Sequence, residues 1–183
     1  MPPLETPELE INFSAPQFLL PGIDGKQYKL EEIKGAKGLV VAFICNHCPY
    51  VKSIADKIAK EALELQKIGI NFLGINSNDP IAYPEDSFEN MKLFAVKHHY
   101  SFPYLFDESQ EVARAYGAVC TPDFFGFNSD LKLVYRGRLD AAGKNFLPEA
   151  KRELFLAMEK ISQDLPIKDK QYPSLGCSIK WRI

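Results

Sequence analysis

The stretch "GLVVAFICNHCPYVK" (38–52) decides the fold, because three signals meet in it. Gly38 to Ile44 is continuously apolar and about strand length, as expected of a strand buried on both faces. From Pro49 the period becomes helical: Val51, Ile54, Ile58, Ala62 and Leu65 share one face, while Lys57, Lys60, Glu61, Glu64 and Lys67 largely fall elsewhere. At the handover stand Cys45 and Cys48, separated by Asn46 and His47.

A C-x-x-C pair at such a junction meets the unpaired N–H groups and positive dipole end of the helix, both of which stabilise a thiolate. Cys45 is expected to be the thiol that benefits, its pKa falling from roughly 8.5 into the neutral range or below. His47 favours the thiolate further, and a stabilised reduced form makes the disulfide more oxidising. Cys48, one helical turn further in, is placed to resolve a mixed disulfide. Pro49 suits a first helical turn, where its missing N–H costs nothing. A zinc half-site would need a second ligand pair, but Cys120 and Cys177 are isolated and His98 and His99 sit at a helix end. Inert core cysteines have no reason to stand at a strand-to-helix junction. The pattern points to a redox pair that requires no metal and no organic cofactor.

The totals fit that chemistry. A chain of 183 residues, 46% hydrophobic and 25% charged, is globular in composition and is expected to form a single domain over 1–183, with a core of about 12–165 and a tail, 166–183, packing on it. A formal charge of -2 offers no basic field for nucleic acid. No apolar run approaches the roughly 18 residues of a membrane span. The start "MPPLETPELEINF" lacks the basic and apolar regions of a secretory signal, so the expected location is cytoplasmic. Four cysteines are too few for a disulfide scaffold.

Further strands are expected at "INFLGIN" (70–76) and "YLF" (104–106), and an antiparallel pair at "DFFGF" (123–127) and "LKLVYRG" (131–137). Helices are expected from Asp86 to about His98 or His99, from Ser109 to Tyr116 with Gly117 as the stop, and from about Pro148 to Gln163. Asp86, with Glu89 three residues on, reads as a helix start. The loop Ser77 to Glu85 is expected at the sheet edge that carries the cysteines, where Tyr83 could line a groove. The fold class is α/β, a mixed central β-sheet flanked by helices on both faces.

"APQFLLPGIDGKQYKLEEIKG" (15–35), the C-x-x-C after "VVAFI", and "FDESQEVARAYGAVCTPDFFGFNSDLKLVYRG" (106–137) together resemble the redoxin branch of the thioredoxin superfamily, which has alkyl hydroperoxide reductase-like and thioredoxin-like members. "NHCPYVK" and the tail "PSLGCSIKW" resemble a narrower group of thioredoxin-like proteins that share both. The resemblance implies a thioredoxin-like fold, with Pro122 as a cis-proline facing the cysteines and Thr121 offering backbone groups to an extended substrate. The chain departs from thioredoxins in carrying Ile44 before Cys45 and no Asp or Glu in residues 34 to 44. It departs from peroxiredoxins in carrying Val41 and Cys45 where a proline and a threonine are expected, and Arg114, Arg136 and Arg138 all compete for the role of the peroxide-site arginine.

The expected function is thiol–disulfide exchange on protein or small-molecule disulfides, with Cys45 attacking, Cys48 resolving and an external thiol reductant closing the cycle. One alternative is a thiol peroxidase with Cys48 peroxidatic. A second is a copper-binding chaperone built on the same thiolates. Cys120 reads either as a groove thiol or as a small buried hydrophobe. Cys177 reads either as a second resolving thiol or as part of an apolar tail anchored by Trp181.

Overall fold

The computed structural model describes residues 3–8, 13–143, 145, 147 and 149–182. In chain order these form β1 (Leu4–Glu5), β2 (Leu19–Pro21), β3 (Gln27–Lys29), α1 (Leu30–Ile33), β4 (Gly38–Phe43), α2 (Pro49–Lys67) and β5 (Ile70–Asn76). A short 3-10 turn (Pro84–Asp86) precedes α3 (Phe88–Lys97). There follow β6 (Tyr104–Phe106), α4 (Glu111–Tyr116), β7 (Cys120–Thr121), β8 (Asp123–Asn128), β9 (Leu133–Gly137), α5 (Glu153–Ser162) and β10 (Leu175–Ser178).

The main sheet has the order β6-β5-β4-β8-β9. Strands β4, β5 and β6 run parallel, whereas β8 pairs antiparallel with β4 and β9 antiparallel with β8, so the sheet is mixed as expected. Its central strand β4 is buried on both faces, which is why its sequence is uninterruptedly apolar rather than alternating. Val40 and Ala42 face the cluster formed with α2, α3 and α5, while Leu39, Val41 and Phe43 face the cluster that includes Leu30 of α1 and Ala113 and Tyr116 of α4. Helices therefore cover both faces.

Helix α2 buries Val51, Ile54, Ile58, Ala62 and Leu65, the face its period predicts. Glu61, expected on the solvated side, is buried instead, because the Arg152 guanidinium reaches it at 2.6 Å. Helix α3 starts two residues later than expected: Ser87 caps it by accepting from the Asn90 N–H, which leaves Asp86 outside the helix. Helix α4 begins at Glu111 and stops at Gly117, whose φ of 65° suits a residue without Cβ. The expected start of the last helix at Pro148 lies outside the described residues, and α5 opens at Glu153.

The short β-hairpin of β2 and β3 and a three-stranded sheet, β1-β10-β7, have no counterpart in the sequence reading. Strands of two to four residues carry too few side chains for a period to register. That second sheet positions the site, since it carries the tail back onto the cysteines.

Candidate active site

β4 ends at Phe43, and the chain crosses the open edge of the sheet before α2 begins at Pro49, with Cys48 as its cap residue. Cys45 and Cys48 are both fully buried. The Cys45 sulfur lies 3.2 Å from Thr121 Oγ1, and the Cys48 sulfur lies 3.3 Å from the Thr121 carbonyl oxygen. The Thr121–Pro122 bond is cis. Residues 45, 48, 121 and 122, brought together on paper by resemblance alone, thus meet in one place.

The helix stabilises a different thiol from the one expected. Because α2 starts after Cys48, it is Cys48 that stands at the N-cap, beside the unpaired N–H groups of the first turn, while Cys45 lies three residues before that cap, outside the helix. The neighbouring Cys45 and Cys177 thiols and the backbone N–H groups of Val51 and Cys177 favour the Cys48 thiolate and bring its pKa down to about 5, against the opposing effect of burial. Cys45 moves the other way: burial, its hydrogen bond to Cys48 and the negative charge of Asp86 hold it well above the usual thiol range. The stabilising surroundings thus gather on Cys48, where the sequence reading places them on Cys45. The helix starts at Pro49 as expected, and with that start the residue at its N-cap is Cys48 rather than Cys45.

Asp86 is the residue that sequence reasoning misplaced. Excluded from α3, it is fully buried and accepts from the Asn46 N–H at 2.7 Å, the His47 N–H at 3.3 Å, His47 Nδ1 at 2.5 Å and Asn78 Nδ2 at 2.7 Å. An ionised carboxylate cannot donate, so Nδ1 carries the proton. Burial alone would raise the Asp86 pKa, but the His47 and Asn78 hydrogen bonds hold it below the usual carboxylate value. The same bond raises His47, with a further contribution from the Cys48 charge. Tyr83 stacks on the imidazole at 5.2 Å, so the loop expected at this edge does line the site. The sequence carried no signal for this role: "SNDP" and "YPED" read as turns, and the spacing to Glu89 reads as a helix start.

Cys45, His47 and Asp86 present ligand-type atoms within 4.8 Å of one another. The donor set fits a cation poorly, because both carboxylate oxygens already accept from N–H groups. Cys120 takes no part in the cluster. It neighbours Thr121 on β7, and side chains alternate along a strand, so its thiol points away and burial pushes its pKa far up. The three candidate arginines are committed elsewhere: Arg114 lies over the Trp181 ring, Arg136 binds Asp123 at 2.9 Å and Arg138 binds Glu153 at 2.6 Å. A cavity of about 430 Å³ adjoins the site, with Tyr50, Ile54, Pro122, Leu139, Tyr172 and Leu175 in its lining.

The edge of β7 expected to receive a substrate strand is occupied by the chain itself. β10 pairs antiparallel with it, placing Cys177 opposite Thr121 and Ser178 opposite Cys120.

The family model described as the AhpC/TSA family matches residues 11–136, a span that includes both cysteines of the motif and the Thr121–Pro122 step. The chain belongs to the AhpC/TSA family. Within that family likeness it is 30% identical over 130 residues to peroxiredoxin Bcp of Escherichia coli strain K12, covering 71% of this chain and 78% of that one. It is 25% identical over 135 residues to the thiol-disulfide oxidoreductase ResA of Bacillus thuringiensis subsp. konkukian, covering 69% of each. A solved structure, an uncharacterized conserved protein from Geobacillus kaustophilus, is 45% identical with a TM-score of 0.95, covering 100% of this chain and 97% of that one. The fold of this AhpC/TSA-family chain is thioredoxin-like. Among the described residues no helix is long and apolar enough to cross a membrane.

Proposed function

We propose that this chain is a thiol–disulfide oxidoreductase with Cys45 and Cys48 as its redox pair, acting on protein or small-molecule disulfides and re-reduced by an external thiol. The observation that carries it is the joint placement of the two thiols on the Thr121 hydroxyl and carbonyl at the start of α2. Cys48, the more acidic thiol, begins the reaction. Its thiolate attacks one sulfur of the substrate disulfide, that S–S bond breaks, and the departing sulfur takes up a proton. Cys45 then gives up its proton and attacks the Cys48 sulfur, forming the Cys45–Cys48 bond and expelling the second substrate sulfur as a thiol. The substrate gains two electrons and the pair loses two.

His47, held by Asp86, supplies positive charge beside the Cys48 thiolate. Pro122 and Tyr50 line the cavity through which a substrate approaches the pair. Equilibration in glutathione buffers, acid quenching and peptide mapping test the reading. The expected result is one Cys45–Cys48 disulfide and catalysed reduction of a small disulfide, both lost in Cys48→Ser. A pair that stays reduced in excess glutathione disulfide would overturn it.

The acidity of Cys48 and the likeness to peroxiredoxin Bcp favour a second reading, a thiol peroxidase in which Cys48 becomes a sulfenic acid and Cys45 closes the disulfide with loss of water. Stopped-flow oxidation by stoichiometric hydrogen peroxide separates the two. Oxidation orders of magnitude faster than an ordinary activated thiol, starting at Cys48, selects the peroxidase; slow oxidation leaves exchange as the function.

A further inference from the structure

β10 lies along β7 where an extended substrate would lie, and it brings a cysteine with it. Cys177 sits opposite Thr121, whose carbonyl oxygen lies 3.3 Å from the Cys48 sulfur, it packs against the cluster that contains Cys48, and Gly176 lies so close that a Cβ there would overlap the Thr121 carbonyl oxygen. The tail is locked in this register from both sides. Ser174 Oγ donates to the Pro122 carbonyl at 2.6 Å, the Ile179 N–H to the Val119 carbonyl at 3.0 Å, the Lys180 N–H to Asn78 Oδ1 at 2.8 Å and the Arg182 N–H to Gln110 Oε1 at 2.8 Å. Of the four cysteines, Cys45, Cys48 and Cys120 are buried and Cys177 is partly exposed. An external thiol therefore meets Cys177 before it meets the pair.

The geometry points to Cys177 as a third redox cysteine, carried on a built-in substrate strand, which takes the disulfide from the buried pair and presents it to the external thiol. This rests on the Cys45–Cys48 redox reading above. In the first step the Cys177 thiolate attacks the Cys48 sulfur of the Cys45–Cys48 disulfide. The Cys48–Cys177 bond forms, the Cys45–Cys48 bond breaks, and Cys45 leaves and takes up the proton that Cys177 gave up, with no net change in electrons. In the second, a thiol of the glutathione class attacks the Cys177 sulfur, and Cys48 leaves as the thiolate that the α2 N-terminus stabilises. A second such thiol then releases Cys177, so two external thiols become one disulfide and the protein regains two electrons.

The test uses the full chain in glutathione buffers with acid quenching and peptide mapping. In Cys45→Ala, with Cys45→Ser as a second variant in case the first folds poorly, the expected product is a Cys48–Cys177 disulfide without bound glutathione. In Cys177→Ser the Cys45–Cys48 disulfide still forms, but its reduction by glutathione slows by about tenfold or more, because the partly exposed point of attack is gone. Gly176→Ala, which keeps every cysteine but forces β10 off β7, slows it likewise. Glutathione persisting on Cys48 beside a free Cys177, or reduction of Cys177→Ser at the wild-type rate, overturns the relay. Failure of the wild type to form any Cys45–Cys48 disulfide overturns the redox pair itself, which keeps the two failures distinct.

Discussion

At the scale of single residues, the site is governed by which sulfur faces the N–H groups at the start of α2. With Cys48 brought down to about 5, its alkylation by iodoacetamide is expected to be nearly independent of pH above about 6. Below the pKa the rate falls about tenfold per pH unit as the thiolate is protonated. A midpoint near that of an ordinary thiol would refute the cap assignment. Asp86→Asn removes the carboxylate that raises His47, so the imidazole is expected to titrate at lower pH, followed by NMR of the ring protons. An unchanged His47 titration would show that Asp86 is not its partner in solution. Cys45, Cys48, His47, Thr121 and Pro122 stood out in the sequence as candidates, and the fold gathers them at one edge of the sheet. Asp86 did not stand out, because its local context also fits a helix start, and only the fold reveals that Ser87 takes the capping position instead.

At the scale of elements, periodicity reports burial and little else. α2 showed its inner face over five turns, and β4 its burial on both faces, because each buries enough side chains to leave a pattern. The Ser87 cap of α3 makes a long hydrogen bond of 3.4 Å to the Asn90 N–H, so Ser87→Ala is expected to cost about 0.5 to 1 kcal/mol, at the lower end for a cap, in denaturant unfolding. A loss well beyond 2 kcal/mol would mean that Ser87 also holds Asp86 in place. β10 shows the opposite limit. Its four residues have no readable period, yet backbone pairing with β7 and the close approach at Gly176 fix it against the site. Glu61 is a smaller instance: the helical wheel assigns it to solvent, and Arg152, ninety-one positions away, makes its burial tolerable.

At the scale of the whole molecule, the shifted thiols couple redox state to stability. Cys48 is lower in the folded chain than the roughly 8.5 of an unfolded thiol, so between these values the unfolded state binds the extra proton. The stability of the reduced protein relative to Cys48→Ser is expected to rise with pH from about 5 to about 8.5. Above that, Cys45, whose folded pKa is raised, reverses the slope, because the unfolded thiol ionises first. His47 acts with the sign of a raised base, its contribution present at low pH and lost as pH rises through its folded pKa. Comparing the wild type with Cys48→Ser by urea unfolding across pH 5 to 8.5 isolates the thiolate from the other groups. A difference that stays flat over that window would remove the link between thiolate and fold.

The sequence by itself determined the α/β class, the strand-to-helix handover at the cysteines, the antiparallel β8–β9 pair and the presence of a redox motif. Each of these is written in local spacing, where hydrophobic period, proline placement and cysteine interval act over a few residues. Only the tertiary structure decided which thiol the helix stabilises, which carboxylate holds His47, and what lies along β7. Those depend on where chain segments far apart in sequence converge at the open edge of the sheet: Asp86 reaches His47 from 39 positions away and β10 reaches β7 from the far end of the chain. Convergence of that kind is set by packing and backbone pairing summed over the whole fold, and no spacing within a single element records it.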